Sequence, residues 1–201
     1  MNEHVARRRR EPTRAAEGQP RWRWTLAEFD RFIELGILTD DDKVELIGGE
    51  LVPMAAKGVR HENLKFALAE WLETHLPKTL RVLSEPGWRP DRDSYCEPDL
   101  LIYPRRIKPF SAVAAKDVAL LIEVADTTMK YDAETKATLY ARLGVHEYWI
   151  INAATLETRV HLDPADTAYC TVKRLARNRL LTSNRVPEAA VRLKDLDLDD
   201  K

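Results

Sequence analysis

The segment VALLIEVA, residues 118–125, limits the possible folds of this chain more than any other stretch. Seven of its eight residues are apolar, a pattern typical of a β-strand that is covered on both faces of a sheet. The exception is Glu123. A buried, ionised carboxylate without a partner costs several kcal/mol. The sequence therefore predicts a central strand and a positively charged group beside Glu123.

A second acidic residue stands at the start of an apolar run. In EPDLLIYP, residues 97–104, Asp99 comes directly before three apolar residues, and Pro98 fits the first position of a strand. Taken singly, Asp99 could cap a turn and Glu123 could pair with an arginine in the core. Together, two carboxylates at the ends of neighbouring strands favour a site for Mg²⁺ or Mn²⁺, because these ions prefer carboxylate oxygens.

The segment TMKYDAETKATLYARLG, residues 128–144, reads as a helix that ends at Gly144. Asp132, Lys136 and Tyr140 recur at intervals of four residues and therefore share one helix face. Lys136 is a candidate for the cation beside Glu123. The alternative is an exposed ion pair between Lys136 and Asp132, which would contribute well under about 1 kcal/mol.

The other patterns predict strands around two central helices. A short helix follows Thr25, which has the capping-box spacing with Glu28. KVELIGGELV reads as two strands around Gly48 and Gly49, with Val44, Leu46, Leu51 and Val52 as inward positions, and residues 61–76 form a long amphipathic helix. Further strands are expected at 79–85, 145–152, 157–163 and 168–175. This order predicts an α/β or α+β fold with a mixed sheet.

The composition limits the class of protein and its partners. The chain has 201 residues, and 32 Lys+Arg against 33 Asp+Glu give a formal net charge of −1, so any binding of a polyanion must come from a local patch. No apolar run is long enough to span a membrane. The two cysteines lack any metal or disulfide pattern, which predicts free thiols and a cytoplasmic location.

The domain organisation follows from the ends of the chain. Residues 1–20 contain four consecutive arginines, Arg7 to Arg10, and almost no large apolar side chains, which predicts a disordered basic arm. Residues 21–195 are expected to form a single domain, and residues 196–201 an acidic tail.

Several motifs occur in the order found in one known family. EPDLLIY, LLIEVADTT and YDAETKATLYARLGVHEYWIIN follow KVELIGGELV and the segment around His61. Over roughly residues 24–155, this set resembles the Uma-two family, bacterial restriction-endonuclease-like proteins of the PD-(D/E)xK nuclease superfamily. The resemblance implies an α/β restriction-endonuclease-like core, in which a mixed central β-sheet is flanked by helices.

The resemblance also implies the metal ligands. Asp99 matches the Asp of the PD element, and Glu123 matches the acidic residue of the next strand. The superfamily lysine normally follows this acid by two residues, where this chain has Ala125, and the family resemblance moves its role to Lys136. The chain departs from the usual family form directly after Glu123, where Ala-Asp-Thr-Thr replaces a turn with Ser and Pro.

Three further site residues are implied by the resemblance. Glu45 resembles an additional acidic residue from the N-terminal part of such cores. His61 resembles a family histidine near the cleft, and Tyr140 is the tyrosine that follows the helix lysine in family order. His61 and Tyr140 are treated as auxiliary residues.

The function implied is hydrolysis of phosphodiester bonds in nucleic acid, with DNA as the expected substrate and Mg²⁺ or Mn²⁺ as cofactor. A metal ion held by carboxylates can activate water and neutralise charge on the phosphate, and Lys136 would add a charge at the phosphate or orient the water. The alternatives are an inactive binding or assembly module with the same fold and, less favoured, a hydrolase of small phosphoesters. Cleavage of both strands needs two sites, which favours a homodimer.

Overall fold

The structure of the protein, a computed structural model, describes residues 22–39 and 41–198. The predicted arm, residues 1–20, and the end of the predicted tail, residues 199–201, lie outside these ranges. The helices are α1 (Leu26–Glu34), α2 (Val59–His75) and α3, which joins Met129–Tyr131, Asp132–Lys136 and Ala137–Leu143. The strands are β1 (Val44–Ile47), β2 (Glu50–Pro53), β3 (Leu80–Ser84), β4 (Trp88–Asp91), β5 (Ser94–Cys96), β6 (Leu100–Pro104), β7 (Leu120–Ala125), β8 (Glu147–Asn152), β9 (Thr158–Pro164) and β10 (Tyr169–Leu175).

The larger sheet has six strands in the order β10-β9-β8-β7-β6-β3. Strands β7 and β8 are parallel and are connected by α3, whereas the other neighbours are antiparallel. The predicted mixed sheet is therefore confirmed. All six residues of β7 are buried, as the apolar segment 118–125 predicts for a strand covered on both faces.

The two faces of the larger sheet are covered by different helices. Leu120, Ile122 and Val124 of β7 belong to a core that includes apolar residues of α2, whereas Leu121 and Ala125 belong to a core that includes residues of α3. Because side chains alternate along a strand, the side chain of residue 123 lies on the α3 side. This alternation brings Glu123 under the helix that carries Lys136.

A second, four-stranded sheet has the order β2-β1-β5-β4. The predicted hairpin around Gly48 and Gly49 is confirmed as β1 and β2, but Leu51, expected to face inward, is 37% exposed because β2 is an edge strand. Strands β4 and β5 were not predicted, since they are short and carry no alternating pattern. Three residues connect β5 to β6, so this sheet lies beside the start of β6.

Helix α3 contains a π-helical turn over Asp132–Lys136. The sequence predicts a continuous α-helix here. A π turn differs from an α turn in its backbone hydrogen bonds, which the pattern of side chains does not reveal. Such turns are frequently found at functional sites, and this one carries both Asp132 and Lys136 into buried positions.

The structure also confirms the predictions for the start of α1 and for the two cysteines. The capping box of Thr25 and Glu28 is present at the start of α1, and Cys96 and Cys170 are free thiols. None of the helices in the described ranges is both long and apolar enough to cross a bilayer.

Candidate functional site

Asp99 and Glu123 meet at one edge of the larger sheet. Strands β6 and β7 are antiparallel, so the residue before β6 lies beside the end of β7. The backbone N–H of Asp99 approaches Oε2 of Glu123 at 3.4 Å, and the N–H of Val124 donates to Oδ2 of Asp99 at 2.8 Å. Both acidic side chains are buried. The antiparallel pairing thus brings together the two carboxylates that the sequence singles out.

Lys136 supplies the cation that the burial of Glu123 requires. Its Nζ lies 2.9 Å from Oε1 of Glu123 and 3.1 Å from Oε1 of Glu45. The hydroxyl of Tyr140 donates to the same Oε1 of Glu123 at 3.1 Å. Lys136 is only 6% exposed, so the alternative of an exposed ion pair between Lys136 and Asp132 is wrong.

Glu45 enters the site from the smaller sheet. It lies on β1, which pairs with β5, and its Oε1 accepts a hydrogen bond from the N–H of Glu97 at 2.9 Å. Glu97 follows β5 and precedes Asp99 by two residues. The short connection between β5 and β6 therefore places Glu45 next to Lys136 and near the other two carboxylates.

The two oxygens of Asp99 have different surroundings. Nε2 of His61 lies 3.1 Å from Oδ2, which also accepts from Val124, while Nζ of Lys57 lies 3.0 Å from Oδ1. Burial alone would raise the pKa of Asp99, but the hydrogen bond from His61 and the charges of Lys57 and His61 outweigh it and lower this pKa to about 2. Asp99 is thus held in its ionised form.

Behind Asp99, the polar contacts close into a ring. Lys57 contacts Oε1 of Glu85, and Nζ of Lys65 lies 2.7 Å from the same oxygen. Lys65 also contacts Oε2 of Glu62 at 2.8 Å, and Oε1 of Glu62 lies 3.1 Å from Nδ1 of His61. Since His61 and Lys57 both contact Asp99, the ring fixes the position of its carboxylate from two sides.

A cleft of about 190 Å³ opens onto these residues. Its lining includes the carboxylates of Glu45, Glu97, Asp99, Glu123, Asp126 and Asp132 and the ammonium groups of Lys57 and Lys136. Burial raises the pKa of Glu123 well above its ordinary value, and neighbouring carboxylates raise it further against the opposing effect of Lys136. Burial likewise raises the pKa of Asp132. Burial and mutual repulsion thus disfavour the ionised carboxylates of the cleft, and a bound cation would relieve that repulsion.

One polar group of the cleft lacks a partner among the residues that the structure describes. Tyr131 lines the cleft, and its hydroxyl is buried without a hydrogen-bond partner among the described residues. Burial raises the pKa of this hydroxyl above its ordinary value, so it remains a proton donor at neutral pH. Buried hydroxyls are normally hydrogen-bonded, and a ligand in the cleft could supply the acceptor.

The donor set suits a hard cation but is not a closed metal cage. Within residues 22–39 and 41–198, no three His, Cys, Asp or Glu side chains are grouped so as to hold a metal ion. Mg²⁺, however, is commonly bound through one or two carboxylates, with water and substrate phosphate as the other ligands. Asp99 and Glu123 fit that pattern. Each of them already contacts an ammonium group, from Lys57 and Lys136 respectively, which shows that positive charge is favourable at these positions.

The sequence did not reveal several residues of the site. Lys57 lies in the irregular segment between β2 and α2, and Glu85 follows β3 with a positive φ of 49°, so no periodic pattern marks either residue. Lys65 could have been found, because it follows His61 by four residues and so shares its helix face.

Comparisons with known proteins agree with this architecture. The family model Uma2 (Uma-two), described as "Putative restriction endonuclease", matches residues 26–195. A crystal structure of "a putative nuclease belonging to DUF820" from Anabaena variabilis is similar to this chain, with a TM-score of 0.64 and 14% sequence identity over 85% of this chain and 96% of that one. This similarity confirms the restriction-endonuclease-like fold. No curated protein matches the chain at a significant level. Because the family model spans most of the sequence, the chain belongs to the Uma2 family.

Proposed function

We propose that the protein is a metal-dependent endonuclease that hydrolyses phosphodiester bonds in DNA. The observation that carries this proposal is the convergence of Asp99 and Glu123 at one edge of the sheet, with Lys136 against Glu123. The description of the Uma2 family supports nuclease activity. The free thiols Cys96 and Cys170 fit a reducing, cytoplasmic setting.

Asp99 and Glu123 are the residues that would hold Mg²⁺ or Mn²⁺, with Glu45 as a third ligand or as support for the other two. Such an ion, when bound, supplies charge neutralisation on the phosphate and lowers the pKa of a bound water. The excess of carboxylates over lysines in the cleft supports a cation at this place.

The residues around the carboxylates hold them in fixed orientations. The N–H of Val124 and His61 contact Oδ2 of Asp99, so Oδ1 is the oxygen with only an ammonium partner. Lys136 and Tyr140 contact Oε1 of Glu123, which leaves Oε2 with only the long contact from the N–H of Asp99. His61 and Tyr140 are therefore positioning residues. Oε2 of Glu123 remains open to a ligand, whereas Oδ1 of Asp99 would have to exchange Lys57 for one.

Cleavage assays on several nucleic acids test the proposal. Supercoiled plasmid, linear duplex DNA, single-stranded DNA and RNA are incubated with the protein in Mg²⁺, in Mn²⁺ and in EDTA. We expect cleavage of DNA that needs the metal and that falls at least about 100-fold in Asp99→Asn and Glu123→Gln. Metal-dependent hydrolysis of p-nitrophenyl phosphate without cleavage of any polymer would instead indicate a hydrolase of small phosphoesters.

The oligomeric state is tested separately. We propose that two copies act together on duplex DNA, since one site cuts one strand. Light scattering after size-exclusion chromatography, with and without a short duplex, measures the mass of the complex. A single copy that linearises plasmid without accumulating the nicked form would contradict a dimer.

One observation favours a second candidate, an inactive binding or assembly module. Lys57, His61 and the N–H of Val124 already satisfy both oxygens of Asp99 without any metal ion. Calorimetry with Mn²⁺ on the wild type and on Asp99→Ala separates the two candidates. Binding that disappears in Asp99→Ala supports the nuclease, whereas negligible binding to both proteins supports the module.

A further inference from the structure

We infer that Lys57 and Tyr131, rather than Lys136, bind the phosphate of the substrate in the cleft. This inference rests on the proposed function and names the groups that contact the substrate. It reassigns the role that the sequence suggests for Lys136, because the structure places the three side chains in different surroundings.

Lys136 is enclosed by the carboxylates that it neutralises. Its Nζ lies within 3.1 Å of oxygens from both Glu45 and Glu123, and the residue is 6% exposed. A phosphate could contact Lys136 only between two buried carboxylates, which would repel it, whereas the side chain of Lys57 is partly exposed to the cleft. Lys136 is therefore a positioning residue that holds Glu123 and Glu45.

Lys57 has the exposure and the partners expected of a substrate-binding cation. Its side chain is 30% exposed and lines the cleft, and it belongs to the irregular segment between β2 and α2. Its ammonium is shared between Asp99 and Glu85. If Asp99 instead binds a metal ion, Lys57 loses one of its two carboxylate partners but is still held at the cleft by Glu85. The side of the ammonium that faced Asp99 can then contact a phosphate.

Tyr131 provides an independent observation. Its buried hydroxyl has no acceptor in the described part of the protein, although it lies in the same cleft as Lys57. The non-bridging oxygens of a phosphodiester are acceptors only, so a protonated hydroxyl matches them. A buried donor kept without a partner weakens the folded state, and such a feature is expected where a ligand supplies the missing acceptor.

Steady-state cleavage kinetics with a fluorescent oligonucleotide test the inference. We expect Lys57→Met and Tyr131→Phe each to raise KM about tenfold, because each removes one hydrogen bond to a charged group, while kcat changes less than about threefold. Lys136→Met should instead lower kcat and leave KM within about threefold. Lys116→Met, an exposed lysine outside the cleft, is the matched control and should change neither constant.

Two further measurements separate binding from chemistry and from folding. Binding of the oligonucleotide, measured by fluorescence anisotropy in the Glu123→Gln background, should weaken about tenfold on adding Lys57→Met or Tyr131→Phe. Tyr131→Phe should also unfold at the same or a higher denaturant concentration than the wild type, because it removes a hydroxyl without a partner.

The outcomes distinguish the inference from the proposed function. If the wild type cleaves DNA but both variants keep the wild-type KM and affinity, or if Lys136→Met carries the loss of affinity, the inference is wrong and the nuclease assignment stands. If the wild type cleaves no nucleic acid with any metal, the proposed function fails, and the inference fails with it.

Discussion

The Nζ of Lys136 lies 2.9 Å from Oε1 of Glu123, and the two residues belong to consecutive elements, α3 and β7. The same ammonium also lies 3.1 Å from Glu45. One buried cation thus serves two buried carboxylates. Removing the cation would leave two uncompensated negative charges, whereas removing one carboxylate would still leave an ion pair.

This asymmetry predicts different effects on stability. Lys136→Met should lower the free energy of unfolding by about 3–5 kcal/mol, the usual cost of leaving a buried charge without its partner. Glu123→Gln should cost much less, because Lys136 keeps Glu45 as its partner. Urea unfolding at pH 7 of both variants measures the difference.

A double substitution provides the control. In a Lys136→Met and Glu123→Gln double variant, part of the lost stability should return, because one of the unpaired charges is also removed. Equal losses for the two single variants would show that Lys136 does not act as a shared cation.

The ionisation of Asp99 should make the free energy of unfolding depend on pH in the acid range. Its pKa is about 2 in the folded protein, below the ordinary value of about 3.9, so the unfolded chain binds more protons between these values and stability rises with pH there. The contribution is complete above about pH 5, is lost progressively as the pH falls through about 2, and amounts to about 2–3 kcal/mol.

The variant Asp99→Asn tests this dependence. Denaturant unfolding between pH 3 and pH 7 should show a gap between wild type and variant that is widest at neutral pH and narrows toward pH 3. A gap that stays constant over this range would mean that the ring around Asp99 does not favour its ionised form.

The sequence predicted the centre of the site because burial and charge conflict there. An acidic residue in an apolar strand requires a cation, and the repeat of Asp132, Lys136 and Tyr140 on one helix face identified the element that provides it. The antiparallel pairing of β6 with β7 brings Asp99 beside Glu123. The position of Asp99 at the start of an apolar run predicts this placement at a strand end.

The ring around Asp99 could not be predicted in the same way. Lys57, Glu85 and Lys65 come from three separate segments and contact one another only after the chain folds. Charged residues are mostly exposed, so nothing in the local sequence of Lys57 or Glu85 distinguishes them from residues of a solvated surface. Lys65 is marked only by sharing a helix face with His61. The shared phosphate-binding role inferred for Lys57 and Tyr131 likewise depends on contacts between distant segments.

Glu147 should anchor the segment that follows β10 to the larger sheet. It is 1% exposed, its Oε1 accepts from the indole N–H of Trp149, and its Oε2 accepts from the hydroxyl of Ser183 and the N–H of Asn184. Glu147→Ala should lower the free energy of unfolding by about 3 kcal/mol, because three donors lose their acceptor and two of them, on Trp149 and Ser183, are buried.

Hydrogen exchange and fluorescence measure this anchoring. In Glu147→Ala, the amides of residues 181–191 should exchange faster, and the emission of Trp149 should change. Ser183→Ala removes one of the three hydrogen bonds to Glu147 and also the acceptor of the N–H groups of Arg185 and Val186, and should cost about 1–2 kcal/mol. If Glu147→Ala leaves exchange in this segment unchanged, the segment is held by its apolar contacts alone.

Two glycines with similar positive φ values should differ in their tolerance of a side chain. Gly49 and Gly144 have φ values of +86° and +79°, a region that costs other residues about 1–2 kcal/mol. A Cβ at Gly144 would meet nothing within 4 Å, whereas one at Gly49 would lie 2.9 Å from Cβ of Arg23 and 3.1 Å from the carbonyl oxygen of Trp24. Gly144→Ala should therefore cost about 1 kcal/mol, and Gly49→Ala at least about 1 kcal/mol more, because the neighbouring backbone must move. Equal losses in thermal unfolding of the two variants would mean that the contact between the β1–β2 turn and the segment before α1 is loose enough to yield.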